Sequence, residues 1–228
     1  MKPYQSILIQ ECYEPLISIP LKKFSVETPH PYEKLGASYE EKSPYFLRQT
    51  VVDALIQAQH YLQQLHPGWK IHIFDAYRPV AVQKFMVDYT FTTLIKEQKL
   101  IVENISNEQQ QTLLEKVYQI WAIPSENLAT PPPHSTGAAI DITLLDETGH
   151  LLDMGGVIDE LSARSQPNYY AQSKNIKEET YHQRRELLNQ IMTQSGFCRH
   201  PGEWWHFSLG DQMWAWQTQK AIARYGKV

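Results

Sequence analysis

Three short segments of the chain concentrate polar side chains that could do chemistry. They are residues 75–79 (Asp-Ala-Tyr-Arg-Pro), 134–141 (His-Ser-Thr-Gly-Ala-Ala-Ile-Asp) and 203–206 (Glu-Trp-Trp-His). Each lies at the end of a predicted strand, where a rigid scaffold can hold exposed functional groups. An aspartate facing an apolar core would lack partners and would be costly to bury. We therefore expect the three segments to meet in one site.

A metal centre is the first chemistry that these residue types suggest. His134 follows a run of prolines, and Asp141 comes seven positions later inside an otherwise apolar strand. His206, on the last predicted strand, is the natural third ligand. Two imidazoles and one carboxylate leave the fourth position of a tetrahedral zinc ion open for water, as a catalytic zinc site requires. We predict one zinc ion per chain.

Glu203 and Arg78 could supply the remaining catalytic groups. On a regular strand Glu203 and His206 would face opposite sides, but the preceding Pro201-Gly202 predicts a turn that lets both reach the ion. Glu203 would then act as general base toward a metal-bound water. Arg78 would offer a permanent cation to the oxygen of a substrate carbonyl.

Plainer interpretations stay open for each residue. His134 could bond a backbone carbonyl, Asp141 could cap a turn or pair with Arg78, and residues 203–206 could form an aromatic core strand. The same ligand types could bind Fe(II), although that triad commonly spaces its first histidine and acid more closely. We assign structural roles to the other histidines, at positions 30, 60, 66, 72, 150, 182 and 200.

Composition narrows the class of protein. The 228 residues include 21 Lys plus Arg and 25 Asp plus Glu, a net charge of −4 with no basic stripe, so nucleic acid and anionic membranes are poor partner candidates. No stretch approaches about 18 consecutive apolar residues, and no signal peptide is recognised. We expect a cytoplasmic protein. The two cysteines, Cys12 and Cys198, are too sparse for a disulfide framework.

The pattern of apolar residues predicts the elements that position these groups. Helices are expected over residues 43–65, with Ser43-Pro44 as the start, and over 80–97, 107–121 and 181–194. Strands are expected over residues 5–9, 14–20, 69–74, 138–145 and 204–209, and a loop over 123–133. Helices and strands are interspersed without a regular βαβ series, which favours an α+β fold with a small, mostly antiparallel central sheet flanked by helices.

The domain organisation follows from the same pattern. The chain shows no repeat, linker or shift in composition, so we predict one compact domain over residues 1–228. Within it, residues 1–42 form a wrapping arm and residues 43–210 form the catalytic core.

Taken in order, these motifs resemble the D-alanyl-D-alanine dipeptidase branch of the zinc D-Ala-D-Ala peptidases. The resemblance covers about residues 45 to 210. It includes Asp75-x-Tyr77-Arg78-Pro79, His134-x6-Asp141, Met154-Gly155, Ser195-Gly196-Phe197 and Glu203-Trp204-Trp205-His206.

The resemblance implies a zinc dipeptidase that hydrolyses D-Ala-D-Ala or a related D-dipeptide. Zinc would be held by His134, Asp141 and His206, with Glu203 as the base and Arg78 as the transition-state stabiliser. It also implies a small closed pocket and a role connected with peptidoglycan of the cell wall, in precursor control or in salvage.

Two departures from the family pattern concern the substrate. Pro132 replaces a small hydroxyl residue that helps to hold the substrate's ammonium group. The segment from Val157 also differs, but Asp159 persists and, by the resemblance, pairs with that ammonium. A tyrosine near the arm should line the pocket, with Tyr32 and Tyr39 as candidates.

Two other functions compete with the dipeptidase. One is a zinc D,D-carboxypeptidase or endopeptidase that cuts longer peptidoglycan peptides, which would need export from the cytoplasm. The other is a non-catalytic zinc-containing binding module of the same fold, which would be expected to lose Glu203 or Arg78; both are present. The sequence leaves the oligomeric state unknown.

Overall fold

A five-stranded sheet lies at the centre of the computed structural model, which describes residues 2–228. The strands are, in chain order, β1 (Leu8–Ile9), β2 (Leu16–Ser18), β3 (Ser25–Val26), β4 (Phe46–Arg48), β5 (Lys70–Asp75), β6 (Ala139–Leu145), β7 (Cys198–Arg199), β8 (His206–Ser208) and β9 (Ile222–Ala223). The helices are α1 (Pro31–Lys34), α2 (Gln49–Leu65), α3 (Val80–Glu97), α4 (Asn107–Val117), α5 (Ile176–Gln194) and α6 (Gln212–Gln217).

The central sheet is mostly antiparallel, as the sequence predicts. Its order is β3-β5-β6-β8-β7, and only the β3–β5 pair is parallel. Two small ribbons lie outside it: β1 pairs with β9 in parallel, and β2 pairs with β4 in antiparallel orientation. The predicted α+β class is therefore confirmed.

The two faces of the sheet have different roles. Side chains alternate along a strand, so Ile140 and Ile142 of β6 point into the main core while Asp141 points to the opposite face. Ile71 and Ile73 of β5 join the same core, and helices α2 and α5 cover it. The face with Asp141 is left for the polar site.

Helix α2 shows why the sequence prediction works where periodicity is strong. Val51, Leu55, Ala58 and Leu62 follow at helical spacing and are completely buried. The predicted start at Ser43-Pro44 is wrong, because residues 46–48 are extended and pair with β2. The helix begins at Gln49.

Other boundaries differ by a few residues. Helix α3 spans the predicted residues 80–97. Helix α4 begins as predicted, where Ser106 and Gln109 form a capping box, but it ends at Val117 rather than at 121. Helix α5 ends as predicted but begins at Ile176 rather than at 181, because the Asn175 side chain accepts from the N–H of Lys177.

The strand predictions at the ends of the chain were longer than the strands observed. Residues 5–9 contain only β1, residues 14–20 only β2, and residues 204–209 only β8. Trp204 and Trp205 precede β8 as buried core residues packed edge to face. Helix α6 was not predicted.

Two further properties bear on the class of protein. Within residues 2–228, no helix has the length and apolar character needed to cross a membrane. Cys12 and Cys198 are both free thiols.

Candidate active site

Two histidines and an aspartate converge on one face of the sheet. His134 lies in a 3₁₀ turn (Pro133–Thr136) before β6, Asp141 lies on β6, and His206 begins β8. Asp141 and His206 are paired directly across the two antiparallel strands. One ligand atom from each of the three residues lies within 4.8 Å of the others, and all three side chains are buried. We call these residues the His-Asp-His triad.

Hydrogen bonds outside the triad orient its imidazole rings. His134 Nδ1 lies 2.7 Å from the carbonyl oxygen of Ala76, which can only accept, so Nδ1 carries the proton and Nε2 is free as a ligand atom. His206 Nε2 lies 3.4 Å from Ser208 Oγ, whose hydroxyl donates to Asp211 Oδ2 over 2.9 Å. The Ser208 oxygen can thus accept from Nε2–H, which leaves Nδ1 of His206 free.

This arrangement fits a bound divalent cation. His134 Nε2 and His206 Nδ1 face each other at 3.1 Å. Asp141 Oδ2 lies 3.3 Å from His134 Nε2, and Asp141 Oδ1 lies 3.0 Å from His206 Nδ1. Ligand atoms about 2.0–2.1 Å from one tetrahedral ion are separated by about 3.3 Å. Burial opposes protonation of His134, but the charge of Asp141 raises the pKa of this ring, so the site attracts positive charge. The donor set of two nitrogens and a carboxylate suits zinc.

Glu203 lies beside the triad, in the turn between β7 and β8. Its Oε2 is 3.7 Å from His206 Nδ1, and its Oε1 is 3.5 Å from His200 Nδ1. The turn at residues 201–202 solves the geometric problem raised by the sequence, because Glu203 precedes the strand that His206 begins. Burial and the negative charge of Asp141 raise the pKa of Glu203 well above its usual range.

Arg78 is a buried cation held by four side chains. Its Nε and Nη2 lie 2.9 Å and 2.7 Å from Asp75 Oδ2, and Nη1 lies 2.8 Å from Gln83 Oε1. Nη2 also donates to Tyr32 Oη over 3.1 Å and lies 3.3 Å from Asp141 Oδ2. The second N–H of Nη1 meets no acceptor among residues 2–228. Arg78 thus keeps one donor for a substrate oxygen.

Asp75 provides the main counter-charge for Arg78. It ends β5, three residues before the arginine, and is completely buried. Burial alone would raise the pKa of Asp75, but Arg78, together with His30 and His134, lowers it to about 2. Asp75 therefore stays ionised and holds the guanidinium in place.

Asp159 lies at the side of the site formed by Arg78 and Tyr32. Its Oδ2 accepts from the Tyr32 hydroxyl over 2.8 Å, and its backbone has a φ of 64°, in the left-handed region. Desolvation and the charge of Asp141 raise the pKa of Asp159 to about 7, against the effect of Arg78.

These residues share one narrow cavity, with about 30 Å³ of free space before any side chain moves. The triad, Glu203, Arg78 and Asp159 all line it. The N-terminal arm contributes Lys2 and Tyr4, and residues 120–122 and Met213 provide an apolar wall. The structure thus brings together all six residues to which the sequence analysis gave a metal-binding, catalytic or ammonium-binding role.

The sequence analysis missed several residues here. Tyr4, rather than Tyr32 or Tyr39, is the tyrosine that lines the cavity; Tyr32 instead contacts Asp159 and Arg78. His200 also lines the cavity, so the structural role assigned to it is incomplete. Its position three residues before Glu203 was the available signal.

The fold and the site together define a class of protein. An α+β domain with a buried His-Asp-His triad, and with a buried glutamate and arginine beside it, is typical of a metal-dependent hydrolase.

Comparison with known proteins identifies the family. The sequence model of the peptidase M15 family, described as D-ala-D-ala dipeptidase, matches residues 25–224. The chain belongs to this family of metallopeptidases.

Curated relatives agree with this assignment. A D-alanyl-D-alanine dipeptidase of Synechocystis sp. is 53% identical over 240 residues, which cover 100% of this chain and 97% of the relative. The protein of the same name from Enterococcus faecalis is 31% identical over 160 residues, 70% of each chain.

A solved structure of the LD-carboxypeptidase LdcB gives a TM-score of 0.47 at 18% identity, over 93% of this chain and 78% of that one.

Proposed function

We propose that this protein is a zinc-dependent dipeptidase that hydrolyses D-Ala-D-Ala or a closely related D-dipeptide. The observation that carries the proposal is the His-Asp-His triad, whose ligand atoms lie within 4.8 Å of one another in the cavity that also holds Glu203 and Arg78. The relatives named above supply the substrate class. The proposal also includes a cytoplasmic location, which cell fractionation would test.

In this mechanism His134, Asp141 and His206 would hold one zinc ion, and Glu203 is the general base. When bound there, zinc would supply Lewis-acid chemistry, lowering the pKa of water and polarising a carbonyl group. Glu203, 3.7 Å from His206 Nδ1, accepts the proton of the attacking water and then delivers it to the nitrogen of the leaving amine.

Arg78 and Asp159 orient the substrate. The free N–H of Arg78 donates to the carbonyl oxygen as negative charge develops on it. Asp75 and Gln83 fix the guanidinium, so little reorganisation is needed during the reaction. Asp159, held by Tyr32, accepts the ammonium group at the amino end of the dipeptide.

The narrow cavity favours a dipeptide over a longer peptidoglycan peptide. The test is release of D-alanine by zinc-loaded protein from D-Ala-D-Ala, from L-Ala-L-Ala and from a peptide ending in D-Ala-D-Ala. The proposal predicts release from D-Ala-D-Ala alone, and its loss after treatment with a chelator. Faster release from the longer peptide would instead identify a carboxypeptidase.

A further inference from the structure

Besides its histidines, the cavity has two basic side chains, and only one of them is bonded to other side chains. Lys2 and Arg78 are the lysine and arginine residues that line it, together with the carboxylates of Asp141, Asp159 and Glu203. A free dipeptide carries a positive charge at its amino end and a negative charge at its carboxyl end. Asp159 can serve the first charge, so the second requires a cation.

Arg78 is a poor candidate for that cation. Its guanidinium is already bonded to Asp75, Gln83 and Tyr32 and contacts Asp141. Its one free N–H is assigned to the scissile carbonyl. A substrate carboxylate bound through both oxygens would need two further donors, and Arg78 would have to release two of its present bonds to supply them.

Lys2 has the opposite character. Its side chain is half-buried at the cavity, yet its ammonium group makes no hydrogen bond or ion pair with any other residue of the described part of the chain, 2–228. The backbone around it is fixed: the Lys2 N–H donates to Gln5 Oε1 over 2.9 Å, and Tyr4, in the 3₁₀ turn that follows, is buried. Gln212 of α6 donates to the Ile7 carbonyl over 2.6 Å and holds the arm in place.

Lys2 and Asp159 both line the cavity, and the charged groups that act on them differ. Asp159 contacts Tyr32, and Arg78 lowers its pKa. Lys2 instead interacts with Glu203, whose charge raises the pKa of Lys2, and with His200, whose pKa Lys2 lowers. Burial lowers the pKa of Lys2, and the charge of Glu203 raises it. Glu203 is also the group assigned to the leaving amine, and in a dipeptide the leaving amine belongs to the residue that carries the carboxylate.

We infer that the ammonium group of Lys2 binds the terminal carboxylate of the substrate and makes the enzyme selective for free dipeptides. This inference rests on the proposed function. The order along the substrate is then Asp159 at the ammonium, Arg78 and the triad at the scissile carbonyl, Glu203 at the leaving nitrogen and Lys2 at the carboxylate. Lys2 is thus a specificity-determining residue contributed by the arm.

The test compares D-Ala-D-Ala with D-alanyl-D-alaninamide, which lacks the carboxylate. Zinc-loaded protein with no residues added before Met1 is compared with Lys2→Met, with Lys2→Arg, and with Lys22→Met as the matched control at an exposed lysine. Hydrogen bonds between charged groups contribute enough for about a 10- to 100-fold effect. Unmodified protein should prefer the dipeptide over the amide by about that factor in kcat/KM, and Lys2→Met should remove the preference by raising KM for the dipeptide alone. Lys2→Arg should restore much of it.

Binding of the two compounds to Glu203→Gln, measured by calorimetry, separates this inference from the proposed function. Carboxylate-dependent binding that Lys2→Met abolishes would support the inference. If the unmodified protein cleaved neither compound, the dipeptidase would be overturned, but this binding result would still support the role of Lys2. Cleavage of both compounds at rates that Lys2→Met leaves unchanged, or lowers equally, would overturn the role of Lys2 and leave the dipeptidase standing. Binding of neither compound would overturn both.

Discussion

At the scale of single residues, the side chains that hold Arg78 and the imidazoles in place are different from the one that transfers protons. Asp75, Gln83 and Tyr32 fix Arg78, and Ala76 and Ser208 fix the two imidazoles. Glu203 is placed differently: it contacts His200 and His206 at 3.5 Å and 3.7 Å, both longer than a normal hydrogen bond. It is therefore the group beside the triad with freedom to exchange a proton.

Glu203→Gln tests the assignment of the general base. The substitution keeps the size of the side chain but removes the proton acceptor, so kcat should fall by about 10²- to 10⁴-fold. Zinc content, measured by elemental analysis, should stay at the unmodified level because Glu203 is not in the triad. Gln119→Glu, an exchange of the same two residue types at an exposed position, is the control and should leave kcat unchanged. Retained activity in Glu203→Gln would exclude it as the base.

Tyr32→Phe tests whether Tyr32 positions the substrate site. Phenylalanine keeps the buried ring but removes the hydroxyl that donates to Asp159 and accepts from Arg78. Loss of these bonds costs about 1 kcal/mol each, so we expect KM to rise about 5- to 30-fold, with a smaller change in kcat. Tyr61→Phe, in helix α2, is the matched control. An equal fall of kcat in both variants would contradict the positioning role.

At the scale of elements, helix α2 receives its N-terminal cap from the arm. The side chain of its N-cap residue, Arg48, accepts no hydrogen bond from the backbone N–H groups of the first turn. Instead Glu14, from the segment before β2, accepts from the backbone N–H of Thr50 over 2.5 Å, and also from the hydroxyls of Thr50 and Tyr225. A carboxylate at this end also interacts favourably with the helix dipole.

Glu14→Gln should therefore reduce stability in a pH-dependent manner. Burial alone would raise the pKa of Glu14, but bonds from Thr50 and Tyr225 lower it. A carboxyl group whose pKa is lowered by folding stabilises the protein above its unfolded pKa, and this contribution is lost as the pH falls through the folded pKa. We expect a loss of about 1 kcal/mol at pH ~7 that shrinks in acid. Thermal unfolding across this range, with Glu41→Gln as the exposed control, measures it; a loss that does not depend on pH would contradict the account.

The same helix shows what the sequence could and could not predict. The periodicity of apolar residues over 47–65 identified α2, because the whole buried face of this helix comes from one continuous segment. The start was misplaced because β2 and Glu14, about 30 positions away in the sequence, hold residues 46–50. The triad was predictable because an aspartate in an apolar strand needs a partner, and because His134 and His206 lie near strand ends. Lys2, Tyr4 and His200 were not, because their presence in the cavity depends on how the arm and the β7–β8 turn pack.

At the scale of the whole molecule, Arg48 joins three distant parts of the chain. Its guanidinium donates to the Thr136 carbonyl beside His134 over 2.8 Å, to the Glu14 carbonyl over 2.6 Å and to the Gly226 carbonyl over 3.1 Å. It also pairs with Glu11 at 3.1 Å. The arm, the turn that carries His134 and the C-terminal segment therefore meet at one buried side chain.

Arg48→Met should weaken both the fold and the metal site. Removing one partner of a buried, bonded charge costs about 3–5 kcal/mol, and about 1 kcal/mol corresponds to about 2–4 °C in Tm for a chain of this size. Zinc affinity should fall as well, because the turn with His134 loses an anchor. Arg164→Met, at a half-exposed arginine paired with Glu160, is the control. Unchanged Tm and zinc affinity would show that Arg48 does not join these parts.

The most direct test of the central claim is a zinc titration of metal-free protein while D-alanine release from D-Ala-D-Ala is followed. The claim is that the His-Asp-His triad holds a single catalytic zinc ion. Activity should rise in proportion to zinc, reach its maximum at one equivalent per chain, and be absent throughout in Asp141→Asn. Activity that does not depend on zinc, or no release of D-alanine at any zinc ratio, would contradict the claim.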